Sequence, residues 1–279
     1  MLELIRAFIR NEQSMELWLA GIKIDVETPS IEQLRPYMEA YSVPEAAQPV
    51  APADCGVPLA GSEQAPEFKV TVTQEDIDDY REVMENALKD ADRDISEVSD
   101  LECEYAALFK KILERLIEYR IIYLHGSLLA VDGNGYLFMA PSGTGKSTHA
   151  RLWRETYGDQ VKMINDDKPL FKIAEDGSIM ACGDPWNGKH MLGCNESVPL
   201  KAIVKLRRGQ ENRIEELDQT SAVKLLYLGT LHFKEPHRMK LALEVIGKII
   251  ENVKFYSLQC NMEPEAAMVS YERLVGSVL

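Results

Sequence analysis

The chain has 279 residues, 46% of them hydrophobic and 27% charged, with a formal net charge of −14. That length allows one large domain or two modest ones with a real core, and no apolar run approaches the roughly 18 residues a membrane span needs. So negative a surface repels phosphate, which argues against nucleic acid as a partner. The charge is uneven: residues 1–120 carry 12 Lys/Arg against 26 Asp/Glu, whereas residues 121–279 carry 19 of each. An acidic first part reads either as solvated faces that keep the protein in solution or as a surface that attracts a basic partner segment. Glu3, Glu12 and Glu16 interrupt the first 20 residues, which also offer no small-residue cleavage site, so no signal peptide is expected. Five cysteines (55, 103, 182, 194 and 260) are odd in number and lack metal spacing, which points to reduced thiols and a cytoplasmic location.

In chain order, residues 16–26 partly alternate apolar and polar side chains and predict a half-buried strand. The stretch 43–66 holds five prolines and many alanines, and reads as a loop or linker. A short strand follows at 68–72. Thr73 and Asp76 then mark the start of an acidic helix, and a second helix spans 101–119 with Leu101, Tyr105, Leu108, Ile112, Leu116 and Tyr119 at helical spacing. These elements predict an α+β lobe over 1–118, and a second domain over 119–279. In the latter a buried strand runs through 121–131, turns at Asp132-Gly133-Asn134-Gly135 and returns over 136–140. A helix at about 146–157, a strand at 161–165, a hairpin around Glu175-Asp176-Gly177 and a strand at 201–207 come next. Helices at about 219–231, 237–252 and 264–275 close the chain.

The strongest chemical signal is Ala140-Pro-Ser-Gly-Thr-Gly-Lys-Ser-Thr148, between a strand and a helix. Gly143 and Gly145 let successive backbone N–H groups converge on phosphate oxygens, and the helix N-terminus adds positive potential. Ser142, Gly143, Thr144, Gly145, Lys146, Ser147 and Thr148 are therefore the candidate nucleotide cradle. Lys146 would reach the outer phosphates of ATP, and the Ser147 hydroxyl would ligate Mg2+. Asn165-Asp166-Asp167 ends the strand 20 residues further on. One carboxylate there can hold the metal and the other can take the proton of an acceptor hydroxyl, although Asn-Asp-Asp is also ordinary turn chemistry. His125 lies on the predicted strand 121–131, where a core role competes with a catalytic one. Gly183-Asp-Pro-Trp-Asn-Gly-Lys189-His190 reads as a shaped loop with an aromatic surface, offering Lys189 to phosphate or substrate, or else as a plain turn. Among Arg207, Arg208 and Arg213, which flank a strand end, Arg208 is the candidate for the γ-phosphate, and plain surface solvation is the competing role for each.

Taken together, His125-Gly126, the Asp132–Gly135 hairpin, the 140–148 loop and Asp166-Asp167 resemble the catalytic domain of HPr kinase/phosphorylase and its kinase-like relatives. The resemblance covers roughly residues 120–210. It implies an α/β fold with a mixed-sheet P-loop kinase core of the kind shared with phosphoenolpyruvate carboxykinases. It also implies His125, Lys146 and an aspartate of the pair as active-site residues, with Ser147 and Asp166 at the metal. The glutamate and glycine-rich signature that follow the aspartates in HPr kinase are absent, which argues against HPr as substrate. Nor do the first 110 residues resemble that enzyme's regulatory domain.

The reading is an ATP- and Mg2+-dependent kinase acting on a hydroxyl, Ser above all, of a protein or peptide. No nucleic-acid or membrane partner is expected, and the oligomeric state stays open. The alternatives are a nucleotide-binding scaffold or sensor, and a small-molecule or carboxykinase-type phosphotransferase.

Overall fold

A computed structural model describes residues 14–43, 67–90 and 98–276. The Pro- and Ala-rich stretch lies outside the described residues from Pro44 to Pro66, as do residues 1–13 and Cys55. The described residues fall into two compact units, one up to Leu116 and one from Ile117 onward. Among them no helix is long and apolar enough to cross a membrane.

The first unit holds a three-stranded sheet in the order β1-β2-β3, formed by β1 (Ser14–Leu19), β2 (Ile22–Glu27) and β3 (Glu67–Thr71). β1 and β2 are antiparallel, and β3 lies parallel to β2. The single strand expected over 16–26 is thus a hairpin. Ala20 (φ 51°) and Gly21 (φ 83°) make a two-residue turn with both central residues at positive φ. Alanine is an uncommon choice there, so the turn does not announce itself. The helices are α1 (Ile31–Met38), which was not expected and contains Pro36, α2 (Gln74–Asp90) and α3 (Asp100–Leu116). Thr73 and Asp76 cap α2 reciprocally: Thr73 N–H donates to Asp76 Oδ2 at 2.8 Å and Asp76 N–H to Thr73 Oγ1 at 3.4 Å. Glu104 of α3 is buried and accepts from Ser30 N–H at 2.7 Å and from the Thr28 hydroxyl, so it serves the start of α1 from across the unit.

The second unit holds nine strands. They are β4 (Ile121–Tyr123), β5 (Gly126–Val131), β6 (Asn134–Met139), β7 (Lys162–Asn165), β8 (Leu170–Ile173), β9 (Ile179–Cys182), β10 (Ser197–Arg208), β11 (Arg213–Glu216) and β12 (Lys254–Cys260). Its helices are α4 (Lys146–Tyr157), α5 (Gln219–Leu228), α6 (Pro236–Asn252) and α7 (Pro264–Leu274). β11 and β12 were not expected, and the strand foreseen at 201–207 is longer at both ends. The main path runs β4-β8-β9-β10-β6-β5-β7, with β12 beside β10 and β11 beside β12. β10 is parallel to both β6 and β12, and its first three residues pair antiparallel with β9. A sheet that changes partners along one strand is mixed and curled. β5 and β6 form the expected hairpin through Asp132 (φ 49°) and Gly133 (φ 71°). The run 121–131 is not continuous, because it breaks at Leu124-His125 between β4 and β5.

Alternation on the strands divides the core into two layers. Leu128, Leu137, Met139, Leu200 and Ile203 face Ala222 and Leu226 of α5 and Val245, Ile246 and Ile249 of α6. Leu129, Phe138, Ala202, Val204 and Leu206 face Ala150 and Trp153 of α4 and Tyr271 of α7. On β10 the register shifts between Leu200 and Ala202. That bulge moves the inward series from 198 and 200 to 203 on one face, while 202, 204 and 206 serve the other.

Candidate functional site

The loop 140–145 leaves the end of β6 and enters α4 through Gly145 at φ 119°, with Gly143 at φ 73°. Both values favour glycine, and a Cβ at either position would meet nothing within 4 Å, so the loop faces open space. No side chain caps α4, which leaves the N–H groups of its first turn directed at whatever occupies that space. Lys146 is buried, and its ammonium donates to the carbonyl of Ala140 at 3.0 Å. Burial lowers its pKa, against the opposing attraction of Asp167 and then Asp166. From the end of β10, Arg208 Nε donates to the Thr144 carbonyl at 3.2 Å and its Nη2 donates to the Gly143 carbonyl. Arg208 therefore holds the loop backbone.

Asp166 and Asp167 follow β7 and lie next to this loop. The Ser127 hydroxyl of β5 donates to Asp166 Oδ1, and Ser147 lies close enough to favour the charged form of this carboxylate. Burial raises the Asp166 pKa, Ser127 and then Ser147 oppose the rise, and Asp167 adds to it. Asp167 Oδ1 stands 3.6 Å from His125 Nε2 and its Oδ2 stands 3.1 Å from Lys168 Nζ. The strand break fixes His125: its N–H donates to the Gly229 carbonyl at 2.8 Å, and Gly126 N–H donates to the Asp167 carbonyl at 3.0 Å. A Cβ on Gly126 would come within 2.8 Å of the Phe138 carbonyl, so this close approach needs glycine. Burial, and after it the Lys146 charge, holds His125 below the usual histidine range, so the imidazole is neutral at pH 7.

The structure thus brings His125, Lys146, Ser147, Asp166 and Asp167 to one end of the sheet. Ser142 and Gly143 are exposed along the rim of the loop, while Thr144 and Thr148 are partly buried. The 183–190 loop also reaches this place: a Cβ on Gly188 (φ 74°) would lie 2.9 Å from the Asp166 carbonyl, and His190 lowers the Asp166 pKa. Its aromatic residue is not a contact surface, because Trp186 is buried and serves as the anchor. Lys189 is exposed beside it.

Three site residues carried no assigned role in the sequence. Ser127 is a lone buried hydroxyl in an apolar strand, a type that signals a partner. Asn165 is fully buried: its Oδ1 accepts from Asp167 N–H at 2.9 Å and Lys168 N–H at 2.8 Å, and its Nδ2 donates to Asp184 Oδ1 at 3.1 Å. Asp184 is fully buried as well.

The arrangement fits a triphosphate with magnesium. The cradle is open, and its helix start is uncapped. Among the described residues no three His, Cys, Asp or Glu side chains form a metal cluster. One or two carboxylates suffice for magnesium when phosphate and water oxygens complete its shell.

Among curated proteins none matches this chain. A solved structure of the Hpr(Ser) kinase/phosphatase from Coxiella burnetii is similar over 55% of this chain and 93% of that one, at 14% identity and a TM-score of 0.32. The family model described as SynChlorMet cassette protein ScmC matches residues 88–262, which span the whole of the site, and the chain belongs to that family.

Proposed function

We propose that the protein is an ATP- and Mg2+-dependent kinase that transfers a phosphoryl group to a hydroxyl, Ser above all, of a protein or peptide. The observation that carries the reading is that Ser127, on β5, donates to the Asp166 carboxylate, which also lies near Ser147 at the start of α4, beside Lys146 and the uncapped helix start. The backbone N–H groups of Gly143, Gly145, Lys146 and Ser147 would hold the phosphates, Lys146 would neutralise their outer charge, and Ser147 with Asp166 would hold the metal. Bound magnesium supplies positive charge to the phosphate oxygens. Asp167 lies beyond Asp166 on the same turn and would accept the proton of the acceptor hydroxyl. The neutral His125, whose Nε2 stands 3.6 Å from Asp167 Oδ1, would turn its single N–H toward developing charge. Catalysis of this kind is mostly positioning and charge stabilisation, for which a rigid constellation suffices.

The partner is proposed to be a segment rich in Lys or Arg, drawn by the acidic first part of the chain. Calorimetry with MgATP, followed by labelled ATP with basic Ser-containing peptides, tests both statements. Binding with transfer that weakens as salt rises supports them. Binding without transfer to any hydroxyl would leave a nucleotide-binding scaffold, transfer to a small molecule alone would remove the peptide, and no binding would end the reading.

A further inference from the structure

Asn165 uses the full capacity of its amide. Its Nδ2 donates to the Asp184 carbonyl at 3.2 Å and to Asp184 Oδ1 at 3.1 Å, and its Oδ1 accepts the N–H groups of Asp167 and Lys168. Turning the amide over would set NH2 against two N–H donors and oxygen against two acceptors, so only one orientation is compatible with the network. Asp184 Oδ1 accepts from Trp186 N–H as well, at 2.8 Å. Asp184 Oδ2 is buried without a hydrogen-bond partner among the described residues, and so is Asn187 Oδ1 in the same loop. A buried carboxyl with a bare oxygen is costly and survives where its placement matters.

We infer that Asp184 is a positioning residue which, through Asn165, fixes the turn that carries Asp166 and Asp167 and joins that turn to the 183–193 loop. The chain of contacts is continuous: Trp186 N–H and Asn165 Nδ2 meet at Asp184 Oδ1, and Asn165 Oδ1 ties down the two amides after Asp166. The same loop then closes over the turn, since Gly188 abuts the Asp166 carbonyl and Gly193 abuts Asn187. Burial pushes the Asp184 carboxyl well above the usual carboxylate range. An asparagine at this position keeps a side-chain oxygen to accept from Asn165 Nδ2 and Trp186 N–H. The two aspartates therefore sit on a platform set by a residue 18 positions beyond Asp166.

The inference rests on the reading of Asp166 and Asp167 as site carboxylates, so its test needs a readout that does not pass through nucleotide. Full-length Asn165→Ala, Asp184→Ala and Asp184→Asn are compared with wild type. Each is followed by thermal melting, by amide exchange at Asp167 and Lys168, and by magnesium titration of ATP binding. Asn165→Ala and Asp184→Ala are expected to melt cooperatively and to exchange these amides about tenfold faster. They should also raise the magnesium needed for half-saturation about tenfold, the usual size of an effect transmitted through a ligand's supporting contact. Asp184→Asn keeps an acceptor for Asn165 and Trp186 and should restore both values to within about twofold. Unchanged exchange in a cooperatively folded Asn165→Ala overturns the inference, as does an Asp184→Asn as impaired as the alanine variant. If Asp184→Ala does not fold, Asn165→Ala and Asp184→Asn decide. Should the wild type fail to bind MgATP, the kinase reading falls while the amide exchange still judges the relay.

Discussion

Arg208 Nε donates to the carbonyl oxygen of Thr144 across 3.2 Å, so the end of β10 grips the loop that follows β6. A second donation from the same guanidinium to Gly143 makes the grip a fork, which a lysine cannot reproduce. Arg208→Ala and Arg208→Lys are both expected to weaken ATP binding, the alanine by about three- to tenfold. The side chain is exposed, so the melting temperature should move little. Calorimetry alongside melting checks this, and an unchanged affinity in both variants would remove Arg208 from the loop's support.

Lys146→Ala removes the cation inside the cradle. A contact to charged phosphate is worth about 1.5–3 kcal/mol, so affinity for MgATP should fall at least about tenfold. Lys146→Arg should not rescue it, because the ammonium fits against the Ala140 carbonyl in a buried position that a guanidinium fork overfills.

The two aspartates should fail differently. Asp166→Asn is expected to raise the magnesium requirement, and Asp167→Asn to keep binding while abolishing turnover. Ser127→Ala is the finer probe: its hydroxyl stabilises the ionised Asp166, so its loss should raise that pKa further. Metal binding needs the carboxylate, hence it weakens as pH falls through the Asp166 pKa. In Ser127→Ala the weakening should begin at higher pH than in wild type. Magnesium titrations between pH 5 and 8 provide the comparison, and superimposable curves refute the role given to Ser127.

His149 governs a pH effect on stability. It is buried between Phe138 and the hydroxyl of Ser270, 3.0 Å from its Nε2, and its Nδ1 has no partner among the described residues. Burial lowers its pKa to about 4 from the usual 6.5. The unfolded chain thus takes up a proton below about pH 6.5 that the folded chain refuses until about pH 4. The sign is therefore a loss of stability on acidification through that window, by at most about 1.4 kcal/mol per pH unit. His149→Gln should melt lower at pH 7.5, yet lose less on going to pH 5, and parallel melting curves would contradict this.

Much of this unit can be read from the chain because its signals are local. Asp132-Gly133 can only turn, Gly143 and Gly145 can only bend, and the Pro264 helix starts where proline suits the first turn. What escaped was set by tertiary pairing. β12 has buried residues on both faces and begins directly after α6, so its Phe255-Tyr256-Ser257 run shows neither alternation nor a leading turn. His125 was placed on a strand because the apolar run continues through it, and the break depends on β4 and β5 choosing different partners. The site was legible where a motif carries it, in Lys146, Ser147 and the aspartates. Ser127, Asn165 and Asp184 hold those residues in place through contacts 19 to 39 positions apart, which no spacing rule anticipates.

The bulge on β10 sets the parity of everything beyond it. Before Leu200 the strand counts its faces one way, in step with β9; after Ala202 it counts them the other way, in step with β6 and β12. Arg208 belongs to the second count, on the same face as Val204, Leu206 and the helix that the phosphate loop begins. Pairing Lys201 in regular alternation, with no bulge to absorb it, would erase the half-step. One end of the strand would then have to turn over, presenting Arg207 instead of Arg208 to the loop or taking Val198 and Leu200 out of their layer. The bulge that absorbs one supernumerary residue thus decides which of two adjacent arginines becomes the brace.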